Sequence, residues 1–335
     1  MNYKLFVGID QSKLTIDVAV RTKQHHNSSD HRQFENNKKG FLAMMKWIKS
    51  FGDFSSDEIL FCAEHTGIYS FRLSIFMNET KADFWLENAL QIKRSCGLQR
   101  GKNDKADARV IAEYCFIHQH KVKLYSLPSK SLLAVKQLLA FRERLVKTVS
   151  ALKITSGESK EFDADETGLI EKESRSLIKT NLKKIEIVNE KMLEIINADE
   201  NLKGKFELTQ SVHGIGKQTA LFFLVYTNAF TSFDDPRKFA CYCGIAPFEF
   251  SSGTSIRGKT RISHFGNKKL KSLLTMCALN TIKKENEFKI YYDRRINEGK
   301  SPMSTINILR NKLTSRIFAA IKRGTPYLSV LNQAA

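Results

Sequence analysis

Apolar and polar positions follow two different rhythms along this chain. Over the first third they form short strand-like runs. Residues 4–9 make one such run, a Gln-Ser-Lys turn follows, and Ile16, Val18 and Val20 then alternate with polar neighbours. This spacing predicts a β-hairpin over residues 4–20. A third strand is expected near 31–34 and an amphipathic helix over 41–51. A short buried strand at 59–63, a helix opening near Gly67, a strand at 82–86 and a helix at 103–118 complete the segment. Strands in a meander followed by strands alternating with helices imply a mixed α/β domain over residues 1–125.

The rhythm then changes to spacings of three and four. Pro128 opens a long helix whose seam is Leu132, Val135, Leu139, Arg142, Val146 and Val149. A second seam runs through Ile178, Leu182, Ile185, Asn189, Met192 and Ile196. These are coiled-coil patterns, separated by a Ser-, Gly- and acid-rich loop at 156–168, and they predict a helical hairpin over 126–205. The hairpin packs within one chain or joins two chains, and the pattern alone leaves both open. Asn189 interrupts the apolar seam, as residues that fix register or partner number do. Residues 206–330 read as a third, mainly α domain. It has short helices, a β-turn region at 246–262 and two basic helices at 267–284 and 303–323. The last residues, 333–335, are expected to fray.

Charge narrows the possible partners. The chain has 335 residues, with 54 Lys plus Arg against 35 Asp plus Glu, a formal net charge of +19. Such an excess favours a polyanion, above all nucleic acid, through phosphate contacts and counterion release. A membrane surface fits less well, because the basic segments lack a clean apolar face with aromatic anchors. No apolar run reaches the roughly 18 residues of a spanning helix. The chain enters a strand directly, without a signal-peptide pattern, so a cytoplasmic location is expected. The six cysteines include no CxxC pair, and the Cys241–Cys243 spacing is poor for zinc; buried or free thiols are expected.

Candidate chemistry centres on four carboxylates. Asp10 ends the first strand, Glu64 ends a later one, and Asp104 and Asp107 lie three residues apart on a helix, facing the same way. Four carboxylates converging on one point repel unless divalent cations sit between them. Mg²⁺ (or Mn²⁺) is a hard cation suited to such ligands together with substrate phosphates. Two such ions stabilise both the attacking and the leaving oxygen of a phosphodiester displacement. Asp17, Asp83 and Glu87 are acidic near strands but lack this placement at strand ends. Arg94, Arg100, Lys102 and Lys105 flank Asp104 and suit a phosphate backbone.

Two further segments point to nucleic acid. In VHGIGKQTA, Gly214 and Gly216 precede a helix start and Lys217, as in a helix-hairpin-helix element; backbone N–H groups there suit a phosphate, although a tight interhelical turn explains the same glycines. Farther on, FSSGT carries Ser251 and Ser252 before Gly253, followed by Arg257, Lys259, Arg261, Lys268 and Lys269. Ser-Ser-Gly is ordinarily loop chemistry. His264 is the nearest histidine and is expected to make no more than a backbone or phosphate contact. Tyr242, Tyr291 and Tyr292 are cheaper to explain by aromatic packing than as nucleophiles.

In this order, GIDQSK, AEHTG, NDKADA, the helical hairpin, HGIG, GIAPFEFSSGTSIRGK and ISHFGNKKL resemble the DEDD transposases of the "one-ten" family of bacterial insertion sequences, over almost the whole chain. The resemblance implies a RuvC-like, that is RNase H-like, N-terminal domain with Asp10, Glu64, Asp104 and Asp107 as the metal-binding DEDD set. It implies a coiled coil joining protomers into a dimer or tetramer, and an active site composed from two protomers. It also implies a serine that attacks DNA and forms a covalent phosphoserine link. By position that serine is Ser252, with Ser251 as the alternative. Members of the family include recombinases guided by a structured bridge RNA that pairs with donor and target DNA. Two other readings compete: a metal-dependent nuclease of the Holliday-junction type with a structural serine, and a non-catalytic nucleic-acid-binding protein with incidental carboxylates.

Overall fold

The computed structural model describes residues 2–22, 30–67, 69–95, 104–158, 167–252, 256–263 and 265–328. It divides into two compact units, Met1–Leu127 and Pro128–Ala335.

The first unit is built on a five-stranded mixed sheet. Its strands are β1 (Leu5–Gln11), β2 (Thr15–Thr22), β3 (Asp30–Glu35), β4 (Ile59–Glu64) and β5 (Asp83–Glu87), in the order β3-β2-β1-β4-β5. The β1–β2 and β2–β3 pairs are antiparallel, while β1–β4 and β4–β5 are parallel. Among the described residues, four α-helices cover it: α1 (Lys38–Lys49), α2 (Ser70–Glu79), α3 (Ala89–Ser95) and α4 (Asp104–Ile117). Strand alternation sorts the residues into two cores. Leu5, Val7 and Ile9 face α1 and α2, packing with Phe41, Met44, Leu73 and Phe76. Phe6, Leu60, Cys62 and Trp85 face the other way, against Ile92 of α3 and Ile111, Tyr114 and Cys115 of α4. The sheet buried on both faces explains why β1 and β4 read as nearly unbroken apolar runs.

The second unit is mainly helical. Its elements are α5 (Lys130–Glu158), α6 (Thr167–Asn197), α7 (Glu200–Gln210), α8 (Lys217–Tyr226), α9 (Pro236–Cys243), β6 (Pro247–Ser252), β7 (Ile256–Ile262), α10 (Lys268–Thr281), α11 (Glu287–Asn297) and α12 (Pro302–Arg323). The long helices α5 and α6 pack on each other within the chain. At their base, Leu132, Val135, Leu139, Met192 and Ile196 share one core with Phe222, Phe223, Leu274 and Leu313. Farther out, Leu145, Val149 and Ile185 make a small separate cluster.

Several local expectations change. Leu182, placed in a seam by its spacing, is exposed, and Val188 is buried in its stead. A helix pair with a second face to satisfy does not follow a strict seam. The loop anticipated at 156–168 is shorter, because α5 continues through Glu158 and α6 starts at Thr167; the residues between lie outside the described ones. The turn region at 246–262 is a two-stranded antiparallel sheet with an irregularity between Phe248 and Phe250. Helices α3 and α11 carry no strong apolar period and were not anticipated.

Candidate metal centre

Strand alternation decides which acidic side chains meet. Asp10 has the parity of Phe6 and Gly8, so it leaves the sheet on the side covered by α4. Asp104 and Asp107 lie in the first turn of α4, where the helix dipole favours anions. The three carboxylates offer oxygen atoms that all lie within 4.8 Å of one another. Glu64 ends β4 with the same parity. It lies outside that tight group, but its charge still reaches Asp10.

The convergence depends on how closely α4 approaches β1. A Cβ added to Gly8 would sit 2.2 Å from the Ala112 nitrogen and 2.3 Å from the Ala108 oxygen. Only hydrogen fits there. Ala108, Ala112 and Ala19 line the same seam and are fully buried. Arg21 adds a clamp: it lies 3.3 Å from Glu113 and stacks over Phe116 at 4.6 Å, tying β2 to α4. Sequence reasoning missed Gly8, Ala108 and Ala112; the signals that could have found them are a glycine inside a strand, a sign of close backbone approach, and small residues one helical turn apart.

Crowding of like charge leaves an electrostatic mark. The Asp10 carboxyl is pushed up to about 6, first by burial and then by the charges of Asp107, Asp104 and Glu64. A hydrogen bond from the Gln11 N–H at 2.9 Å opposes this only in part. A cluster of hard oxygen donors that repel one another, half-buried at Asp10 and Asp107 and exposed at Asp104, fits a divalent cation, whose charge would relieve the repulsion.

Two of the other acidic residues near the sheet, Asp17 and Glu87, lie beside the cluster, whereas Asp83 is at the opposite end of β5, across from Leu60; each is already engaged. Asp17 stands directly opposite Asp10 in the β1–β2 register. Its carboxylate is held by His31 Nε2 at 2.7 Å and Gln33 Nε2 at 3.0 Å. Glu87, opposite Glu64, accepts from Asn88 N at 2.6 Å and Tyr114 Oη at 3.2 Å. Asp83 accepts from Tyr3 Oη at 2.8 Å.

The basic candidates divide. Arg100 and Lys102 lie outside the described residues; Lys105 and Arg94 are exposed, near or on the first turn of α4 and on α3. Gly214 turns with φ +84° and has a packing reason, since a Cβ there would meet Thr281 Cγ2 at 2.4 Å. Gly216 caps α8 without a side-chain hydrogen bond, and Lys217 beside it is exposed. Ser251 is exposed on β6; the backbones of Ser252, Arg257 and Lys259 lie in β6 and β7, and their side chains lie outside the description. Arg261 and Lys268 are exposed. Lys269 is engaged within the protein, 2.6 Å from Glu143 and 5.5 Å from the Phe222 ring. The described cysteines, Cys62, Cys115, Cys241, Cys243 and Cys277, are free.

A five-stranded mixed sheet presenting a carboxylate cluster beneath a helix is compatible with an RNase H-like DEDD domain, a class that handles phosphodiester bonds. Comparison with known proteins makes this specific. A DEDD transposase family of the IS110 type matches residues 7–156, and the Transposase IS116/IS110/IS902 family matches residues 207–293. The chain is 27% identical over 332 residues to the pilin gene-inverting protein of Moraxella lacunata, covering 97% of this chain and 98% of that one. The pilin gene-inverting protein of Moraxella bovis is 26% identical over the same length. An uncharacterized protein of insertion element IS110 from Streptomyces coelicolor is 34% identical over 119 residues, 36% of this chain and 29% of that one. The chain belongs to the IS110 family of DEDD transposases, and it is a DNA transposase or recombinase. That family implies divalent metal, which the Asp10, Asp104 and Asp107 cluster fits. Among the described residues, no helix is long and apolar enough to cross a membrane.

Proposed function

We propose that this protein cuts and exchanges DNA strands of an insertion sequence through a covalent phosphoserine intermediate that depends on the carboxylate cluster. The observation that carries the reading is the meeting of Asp10 with Asp104 and Asp107 at the first turn of α4, in a chain whose second family match spans the Ser251–Ser252 hairpin. Asp10, Glu64, Asp104 and Asp107 hold the metal, with Mg²⁺ the first choice and Mn²⁺ a substitute. A bound divalent ion supplies charge that stabilises the attacking and leaving oxygens of a phosphodiester displacement. Ser252, or Ser251 beside it, supplies the nucleophile. Its Oγ forms a bond to phosphorus, the bond from phosphorus to the 3′ oxygen breaks, and the 3′ oxygen leaves with a proton. The link conserves the phosphodiester energy, so exchange needs no external energy source.

Lys105, Lys217, Arg257, Lys259, Arg261 and Lys268 contact phosphate, as the net charge of +19 favours. A structured RNA supplies sequence choice by pairing with donor and target DNA, so the protein itself needs shape and backbone contacts more than base readout. Two or four copies assemble. Ile154, Leu169, Leu177, Leu182 and Ile187 are exposed on the outer hairpin and suit a second copy.

Covalent capture tests this. Protein with Mg²⁺, co-purifying RNA and junction DNA is resolved on a denaturing gel. A protein–DNA adduct in wild type, lost in Asp104→Ala and in one of Ser252→Ala or Ser251→Ala, is expected. Cleaved DNA without any adduct, from a fully active double serine variant, refutes the serine chemistry and leaves a RuvC-like nuclease.

A further inference from the structure

The β6–β7 hairpin shows an arrangement that phosphate contact and serine chemistry do not need. Phe248 and Phe250 are large apolar side chains left 50% and 68% exposed. Together with Glu249, Gly258 and Arg261 they line one open concavity of about 660 Å³. The concavity is within the size range of small-ligand sites. Its position is fixed by the backbone. Phe248 stands opposite Arg261 and Phe250 opposite Gly258, with the strand irregularity between the two rings. A Cβ on Gly258 would come within 2.9 Å of the Phe250 ring, so glycine is what lets that ring lie across the neighbouring strand.

Exposed aromatic rings beside a guanidinium are the elements of a base-stacking platform. Glu249 narrows the occupant further. A carboxylate in the wall disfavours a bare phosphate but accepts a hydrogen bond from the exocyclic amine of a base. A duplex keeps its bases stacked and has no ring face to offer, so the occupant is a nucleotide out of the stack. Ser251 and Ser252 follow Phe250 directly on the same strand, which puts the occupant on the strand being cut.

We propose that Phe248, Phe250, Glu249 and Arg261 seat an unstacked nucleotide of single-stranded DNA next to the attacked phosphate. The placement beside the attacked phosphate rests on the serine reading above; the nucleotide site itself does not. The rings take the base face, Arg261 takes the flanking phosphate and Glu249 takes a base amine. Holding one nucleotide out of the helix gives the strand-transfer step a single-stranded segment to exchange.

The test uses the full-length protein, in EDTA so that no strand is cut. A short single-stranded DNA carrying one 2-aminopurine reports affinity by anisotropy and stacking by fluorescence quenching. Phe248→Ala/Phe250→Ala is expected to bind about tenfold or more weakly and to lose the quenching, since each base–ring stack is worth several-fold to about a hundredfold. Blunt duplex affinity should stay within about twofold, and Phe248→Trp/Phe250→Trp should retain both signals. An unchanged melting temperature shows that the alanine variant is folded. Single-stranded DNA bound and quenched equally by wild type and the alanine variant overturns the inference. So does a loss confined to RNA of the same sequence. The readout needs no cut strand, so this assay decides the nucleotide site even if no covalent adduct ever forms.

Discussion

At Asp10, function and stability pull in opposite directions. Its carboxyl is raised to about 6, above the roughly 3.9 of an unfolded aspartate. The folded, metal-free protein therefore holds this proton more tightly than the unfolded chain does. It follows that stability is lost as pH rises from about 4 to about 6 and stays lower above that. Asp10→Asn has no such cost. In EDTA near pH 8 it should be more stable than wild type by roughly 1 kcal/mol, allowing for solvent still reaching the group, and it should transfer no strands. Thermal melts with and without Mg²⁺ check both points: Mg²⁺ should raise the wild-type midpoint and leave Asp10→Asn unmoved, and its effect should fade below about pH 6 as protons compete for the carboxylates. Equal melting of the two proteins in EDTA, with equal responses to Mg²⁺, contradicts the electrostatic account. Asp10, Asp104 and Asp107 were legible in the sequence because strand end and helix face are local properties. The engagement of Asp17 by His31 and Gln33 was not, because it depends on the β2–β3 register.

Between elements, the decisive contact is α4 against β1. Gly8→Ala must push Ala108 and Ala112 away, and overpacking of this kind costs about 1–3 kcal/mol. The variant should still fold at low temperature but lose its Mg²⁺-dependent gain in melting temperature, because Asp104 and Asp107 ride on the displaced helix. A second junction ties the base of the helical hairpin to the helices behind it. Asn189 Oδ1 accepts from Arg142 Nε at 2.7 Å and from Gln218 Nε2 at 2.9 Å. Asn189→Leu leaves both donors without that acceptor and should cost about 1–3 kcal/mol in chemical denaturation. The seam spacing identified Asn189 as exceptional, but whether its partners came from the same chain was a tertiary question. The β6–β7 hairpin was harder still: exposed Phe248 and Phe250 read as ordinary strand formers until their surroundings are known.

Across the whole molecule, a net charge of +19 makes DNA affinity depend steeply on salt. Between 50 and 200 mM salt it should fall by about 10³–10⁵ if six to ten phosphates are contacted. Lys268→Ala should reduce the slope by about one phosphate, while Lys269→Ala, whose ammonium is paired with Glu143, should change it little. Charge balance and motif order were visible in the sequence from the start, since both are properties of the chain alone. The division into two compact units was less so, because the hairpin's apolar base belongs to the same core as the helices that follow it. Strand exchange on a plasmid carrying two copies of the element junction is the most direct test of the account, run with wild type and Asp104→Ala, in Mg²⁺ and in EDTA. Recombinant plasmid from wild type in Mg²⁺, and from no other combination, is the predicted result. Recombinant plasmid in EDTA, or from Asp104→Ala, would contradict the claim that the carboxylate cluster at the first turn of α4 drives the reaction.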